Sequence, residues 1–142
     1  MTSIDKIKST FQFNKPILKE AIFLELGGDC TETNNFLQTN IGEIEEIDGD
    51  KSVYVSLTLA NFEDLSDSNK ENSPYLLRVT MESKFRWKSD EIPSEIIDNL
   101  LRVNAPSLLL SYIRPVVSSL TVASAFQEEV VPFVDFTDNQ QI

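Results

Sequence analysis

Two stretches of this chain alternate apolar and polar residues almost without a break, and they restrict what it can fold into. In SVYVSLTLA (52–60), Val53, Val55, Leu57 and Leu59 fall on one side and Ser52, Tyr54, Ser56 and Thr58 on the other. In PYLLRVTMESKFRW (74–87), Leu77, Val79, Met81, Phe85 and Trp87 share a side opposite Arg78, Thr80, Glu82, Lys84 and Arg86. Successive side chains of a strand point to opposite faces. Period two with one polar side therefore predicts antiparallel strands with one face in a core. The acidic connector between them, 61–73, reads as a long hairpin loop.

Two more segments carry strand signals. KPILKEAIFLEL (15–26) runs into Gly27-Gly28-Asp29, a turn signal, and predicts a strand over about 18–26. IGEIEEI (41–47) leads into Asp48-Gly49-Asp50 and predicts a strand entering a tight hairpin. Residues 28–40 are polar, with Phe36-Leu37 as an isolated apolar pair, and read as a loop.

After Trp87 the period changes. SDEIPSEIIDNLLRV (89–103) has acids first and Arg102 near its end, which suits a helix dipole. Asn104 and Pro106 read as the cap and first-turn proline of a second helix. That helix is apolar around most of its girth, and Pro115 predicts a kink near Ser111. Such a helix must be covered on more than one side. One sheet covers one side, and the closing apolar piece, 130–136, is too short to cover the rest. A second copy of the chain is therefore expected, with Leu109, Tyr112, Ile113, Val116 and Leu120 in or beside the interface. The uncharged run between Arg102 and Arg114 is eleven residues, against the about 20 that span a bilayer, so no membrane insertion is expected.

A chain of 142 residues suits one domain over 1–142, with 1–10 and 137–142 as flexible tails. Twenty-three Asp and Glu face 12 Lys and Arg, a net charge of −11, which argues against nucleic acid and anionic membranes as partners. The single cysteine, Cys30, forms no internal disulfide, and 1–15 shows no apolar leader; both suit a cytoplasmic location. The chain has no histidine, which removes the commonest general base and metal ligand. One cysteine makes no zinc cluster, and four glycines make no phosphate-cradling loop. EIEEIDGD (43–50) continues into Lys51-Ser52-Val53 and lacks the ligands of a calcium loop. No enzyme, metal or cofactor is expected.

The order and spacing of several segments resemble the SecB family of bacterial protein-export chaperones. FQFNKPILKEAIFLE resembles its first-strand segment, and SVYVSLTLA with PYLLRVTMESKFRW its central hairpin. LLLSYIRPVVSSL resembles its long helix, with Tyr112, Arg114 and Ser119 on the helix motif, and Phe126 with VDF at 134–136 resembles the segment after that helix. The resemblance implies an α+β protomer with a four-stranded antiparallel sheet and a long helix, assembled as a dimer of dimers. It implies a holdase that works without ATP, keeps unfolded preproteins in apolar grooves and delivers them to the SecA motor.

Phe36 matches a groove residue of the family, and Leu37, Ile41 and Leu76 join it as candidate client contacts. Glu20 matches an acid used in docking; Leu24 stands where a second is expected, with Glu25 one residue away; and Arg78 stands where the family carries an acid. The family usually continues with a further helix after the position of Phe136. Six residues remain here, so a more open groove is expected. The alternative reading is a dedicated single-partner adaptor or antitoxin chaperone of this fold with no export role.

Overall fold

The computed structural model describes residues 2–4, 9–27, 34–64 and 73–137. Two long antiparallel strands form its centre: β5 (Asp50–Ala60) and β6 (Tyr75–Lys88), in register from Asp50 opposite Lys88 to Ala60 opposite Arg78. These are the two alternating stretches of the sequence. Val53, Val55, Leu57 and Leu59 on β5, with Leu77, Val79, Met81, Phe85 and Trp87 on β6, are all buried on one face.

The antiparallel sheet has six strands rather than the four expected. Each outer column is broken in two. On one side β1 (Gln12–Phe13) and β2 (Ile17–Glu25) both pair with β6. The break between them holds Pro16, which has no N–H for a ladder. On the other side β3 (Phe36–Ile41) and β4 (Glu45–Ile47) both pair with β5. The hairpin from β4 to β5 turns at Asp48 and Gly49, both at positive φ, 53° and 83°, as a two-residue hairpin with the sheet's own twist requires. β3 corrects the loop reading of 28–40 at its C-terminal end; residues 28–33, with Cys30, lie outside the described residues, as do 65–72 of the hairpin connector.

The helical half is continuous. α1 (Ser94–Asn99) passes into a π turn, Leu100–Asn104, and then into α2 (Ala105–Val122). Asn104 has helical dihedrals and makes no side-chain cap, so it does not start a helix as its sequence position suggested. The reason lies in Pro106. In an α turn its ring would press on the carbonyl four residues earlier, and it has no N–H to give. The wider π turn, with the Ala105 N–H donating to the Leu100 carbonyl, relieves that crowding within an unbroken helix. Pro115 also sits inside α2 without ending it.

α2 lies on the apolar face of β5 and β6. Ala105, Leu109, Leu110, Ile113 and Val117 join the strand residues in one core. Phe11 stacks on Phe85, with ring centroids 5.5 Å apart, and closes one end. After α2 the chain runs back as a strap, 127–135, without regular structure, and buries Val131 and Phe136 in the same core. The closing segment thus covers more of the protomer than its length suggested. Among the described residues no helix is long and apolar enough to cross a membrane.

Candidate functional site

The strap makes the site. Thr121, fully buried in the last turn of α2, donates its hydroxyl to the Val117 carbonyl (2.8 Å) and accepts the Glu129 N–H (2.8 Å). The Glu129 carboxylate then reaches the sheet: Oε2 accepts the Tyr75 hydroxyl at 2.8 Å and Oε1 accepts the Asn35 side-chain amide. The Tyr75 ring packs between Phe23 and Phe126, at centroid distances of 4.9 and 5.3 Å. Glu129 therefore ties the helix end through its backbone N–H, and β6 and the entry to β3 through its carboxylate, and it fixes where the strap begins.

Between the strap and β3 lies an apolar cavity of about 160 Å³. Phe36 and Leu37 form one wall, Leu59 lies between, and Val130, Val131, Pro132 and Val134 form the other. It is smaller than the about 300–1,000 Å³ of small-molecule sites, and it suits one or two apolar side chains of a polypeptide. Asn35 and Glu129 meet at its mouth, and beside them the strap is uncovered: Val130 is 71% exposed, and Phe133, just beyond, is 92% exposed. A second cleft, of about 270 Å³, lies on the helix side of the strap between Leu110, Ser111 and Arg114 and Phe133, Val134 and Phe136. There the Arg114 guanidinium sits 4.9 Å from the centre of the Phe133 ring. Asp135 accepts the Thr137 N–H at 2.9 Å and the Thr137 hydroxyl. These bonds hold its carboxyl below the usual carboxylate range and shape the chain beside Phe136.

The expected client residues divide. Phe36 and Leu37 line the cavity together. Ile41 is exposed at the far end of β3, about 17 Å along the strand, and does not line it. Leu76 is only 3% exposed, which corrects its expected role as a surface contact. It does lie on the face away from α2, opposite Leu24. The chain leaving β5 turns onto that face, however, and Phe62 is buried with it. Sequence reasoning missed Val130, Val131 and Val134, whose valines gave only a short apolar run far from Phe36 in the chain.

Of the expected docking residues, Glu20 and Arg78 engage each other. Glu20 Oε1 accepts Arg78 Nε at 2.6 Å and the Thr80 hydroxyl at 3.0 Å. Thr80 has one proton to give, so Thr58, 2.7 Å away, donates to it. Arg78 Nη1 donates to the carbonyl of Phe62 at 3.3 Å, which holds the chain after β5 on this face. Arg78 thus neutralises Glu20 within the protomer, and Glu25 stands exposed at the end of β2. Arg78→Met is expected to cost about 1–2 kcal/mol, since it breaks charge-assisted bonds at a partly exposed pair. Urea denaturation checks this; a midpoint equal to wild type would show the pair to be idle.

Of the expected interface residues, Leu109 and Ile113 are fully buried against the sheet and leave no side-chain surface for a second subunit. Val116 and Leu120 are half-buried, and Tyr112 is 40% exposed. The edge strand β2 also exposes Ile17, Leu18, Ile22 and Leu24.

No family model and no curated protein matches the sequence. Solved structures do. A SecB-like chaperone of Mycobacterium tuberculosis, in complex with a ChAD peptide from the HigA1 antitoxin, superposes with a TM-score of 0.57. This chain adopts a SecB-like fold. The likeness covers 88% of this chain and 91% of that one, at 12% sequence identity. A protein of unknown function from Streptococcus agalactiae superposes with a TM-score of 0.51, also at 12% identity, over 87% of this chain and 97% of that one.

Proposed function

We propose that the protein is a nucleotide-independent chaperone that holds an apolar segment of a dedicated client between the strap and β3. The observation that carries this reading is the strap cavity itself: an apolar slot of side-chain size, with the strap tied at Glu129 and Val130 uncovered at its rim. Contiguous exposed apolar surface of this kind marks a partner site rather than a solvated loop. The SecB-like fold, seen in a chaperone with an antitoxin peptide bound, supports the dedicated-client form of the idea. Docking to SecA draws less support, because Arg78 already occupies Glu20.

The active form in this proposal is a homo-oligomer, a dimer of dimers. β2 is an edge strand with four exposed large apolar residues and an unpaired row of backbone groups, and pairing with a second copy would cover both. Tyr112, Val116 and Leu120 then face another subunit.

A photo-crosslinking residue in place of Phe36 tests the reading. One dominant adduct, mapping to an apolar segment of one protein, is the expected result. Many adducts of similar yield would replace the dedicated client with general holding, and no adduct would end the holding reading altogether. With the client segment in hand, Phe36→Ser combined with Val130→Ser is expected to weaken its binding by about tenfold to a hundredfold. Each substitution removes a contact of roughly 1 kcal/mol or more from the slot. Leu37 is left intact because it also packs on the core.

A further inference from the structure

The face of the sheet turned away from α2 divides by charge. At the Tyr75 end, Arg78 is closed by Glu20. At the other end, Lys84, Arg86 and Lys88 occupy three successive outward positions of β6. Lys84 and Arg86 stand opposite Tyr54 and Ser52 of β5, and Arg86 has Gln12 on its other side. With Lys51 they line an open cleft of about 580 Å³. Asp48, Asp50 and Glu91 line it as well, and Asp50 lies directly across from Lys88.

Two of these cations are oriented by uncharged groups. Arg86 Nε donates to the Asn14 side-chain oxygen at 3.1 Å, and Lys84 Nζ lies 5.8 Å from the centre of the Tyr54 ring. Among the described residues the ion pairs are Lys19–Glu82, Arg78–Glu20 and Arg102–Asp98, and none involves the row. In a chain with 23 acids and 12 bases, four bases gathered in one cleft, with no ion pair to them among the described residues, run against the charge balance of the whole.

We propose that this cleft docks an extended acidic segment of a partner protein, with carboxylates at alternate positions. Outward side chains on one strand repeat every ~6.8 Å, and so do the i and i+2 side chains of an extended peptide. A short segment can therefore set successive carboxylates over Lys84, Arg86 and Lys88 in register. Nucleic acid fits poorly. The rest of the chain carries a still larger negative excess than the net −11. A polyanion running more than about 8 Å past the cleft leaves its screened local field and meets that excess, whereas a short acidic peptide ends inside it. The site goes beyond the client slot: Ser52 and Leu59 are seven residues apart on β5, ~24 Å along the strand.

The test uses the full chain and a short labelled peptide with Asp at every second position among Ser and Gly, monitored by fluorescence anisotropy at low salt. Saturable binding that weakens with added salt is expected. Lys84→Gln, Arg86→Gln and Lys88→Gln combined should lower it about tenfold, the sum of several exposed charge pairs. Arg86→Gln alone serves as a second variant and should lose severalfold with its melting curve unchanged. A peptide with the same composition but its acids in one block should bind more weakly. The slot variant with Phe36→Ser and Val130→Ser should bind the acidic peptide like wild type. No saturable binding, equal binding by the variants, or tighter binding of an oligonucleotide or phosphatidylserine vesicle through the same residues would each overturn the proposal.

Discussion

Ile113→Asp is expected to leave the protomer unfolded at 25 °C, whereas Tyr112→Asp, one residue away, should leave it folded. Ile113 is 0% exposed in the middle of α2, among the strand residues of the core. Replacing it removes about 1.5–3 kcal/mol of burial. It also places a carboxyl in the apolar core cluster, at a further cost of several kcal/mol whether the group ionises or takes up a proton. A domain of this size has about 5–15 kcal/mol of stability in all, so the sum consumes most or all of it. Tyr112 is 40% exposed, and an aspartate there meets solvent. If a second copy covers that face, Tyr112→Asp should instead lower the native mass toward the 16.1 kDa of one chain. Circular dichroism and light scattering separate the two outcomes. A native, cooperatively melting Ile113→Asp protein would show that α2 does not lie on the sheet as described.

The contrast between these neighbours shows what periodicity could and could not supply. The apolar girth of α2 was legible in the sequence, but not which arc faces the sheet of the same protomer. β5 and β6 were legible because each buries one face against α2 over most of its length, and every second residue there, Ser83 apart, is apolar from Val53 to Leu59 and from Leu77 to Trp87. β3 was not. An edge strand is held largely by backbone bonds to β5, and after Phe36-Leu37 the polar residues Gln38, Thr39 and Asn40 satisfy the ladder as well as apolar ones would. The continuity of the helices was hidden by Pro106, which marks a helix start in most contexts and is accommodated here by a π turn. Arg78 was singled out as a departure from the SecB pattern, yet its partner, Glu20, is on β2, and only pairing of β2 with β6 brings the two together.

The slot was half legible. Phe36 came from the resemblance, Leu37 from its place beside Phe36 in an isolated apolar pair, and the valines of the strap were visible as a short apolar run. Nothing local joins the two. Asn35 and Glu129, whose side chains meet at the mouth of the slot, are 94 residues apart in the chain. Glu129 is also one of 23 acids, and no spacing rule marks it out. What distinguishes it is position: a buried threonine at the helix end holds its backbone N–H.

Glu129→Ala is therefore expected to release the strap and open the slot while the sheet and α2 remain. The substitution removes an acceptor from the buried Tyr75 hydroxyl and from Asn35. Hydrogen bonds to a charged group contribute about 1.5–3 kcal/mol each, so a loss of about 2–3 kcal/mol is expected once partial exposure of the carboxylate is allowed for. Glu129→Gln keeps the shape and one carbonyl acceptor, but its NH₂ faces a donor on one side. About half of that loss is expected for it. The two variants should also differ in where the chain opens. Thr121 still holds the backbone at 129, and Val131 and Phe136 still favour burial, so release should be local and should raise protease cleavage within 127–135 well before β5 or β6 is cut. Client binding should fall with it, because one wall of the slot is then no longer fixed opposite Phe36 and the client must meet the cost of ordering it. Urea denaturation gives the stability change, and limited proteolysis with mass spectrometry gives the site of opening. Unchanged stability together with an unchanged cleavage pattern in Glu129→Ala would mean that the strap is held by its valines and Phe136 alone.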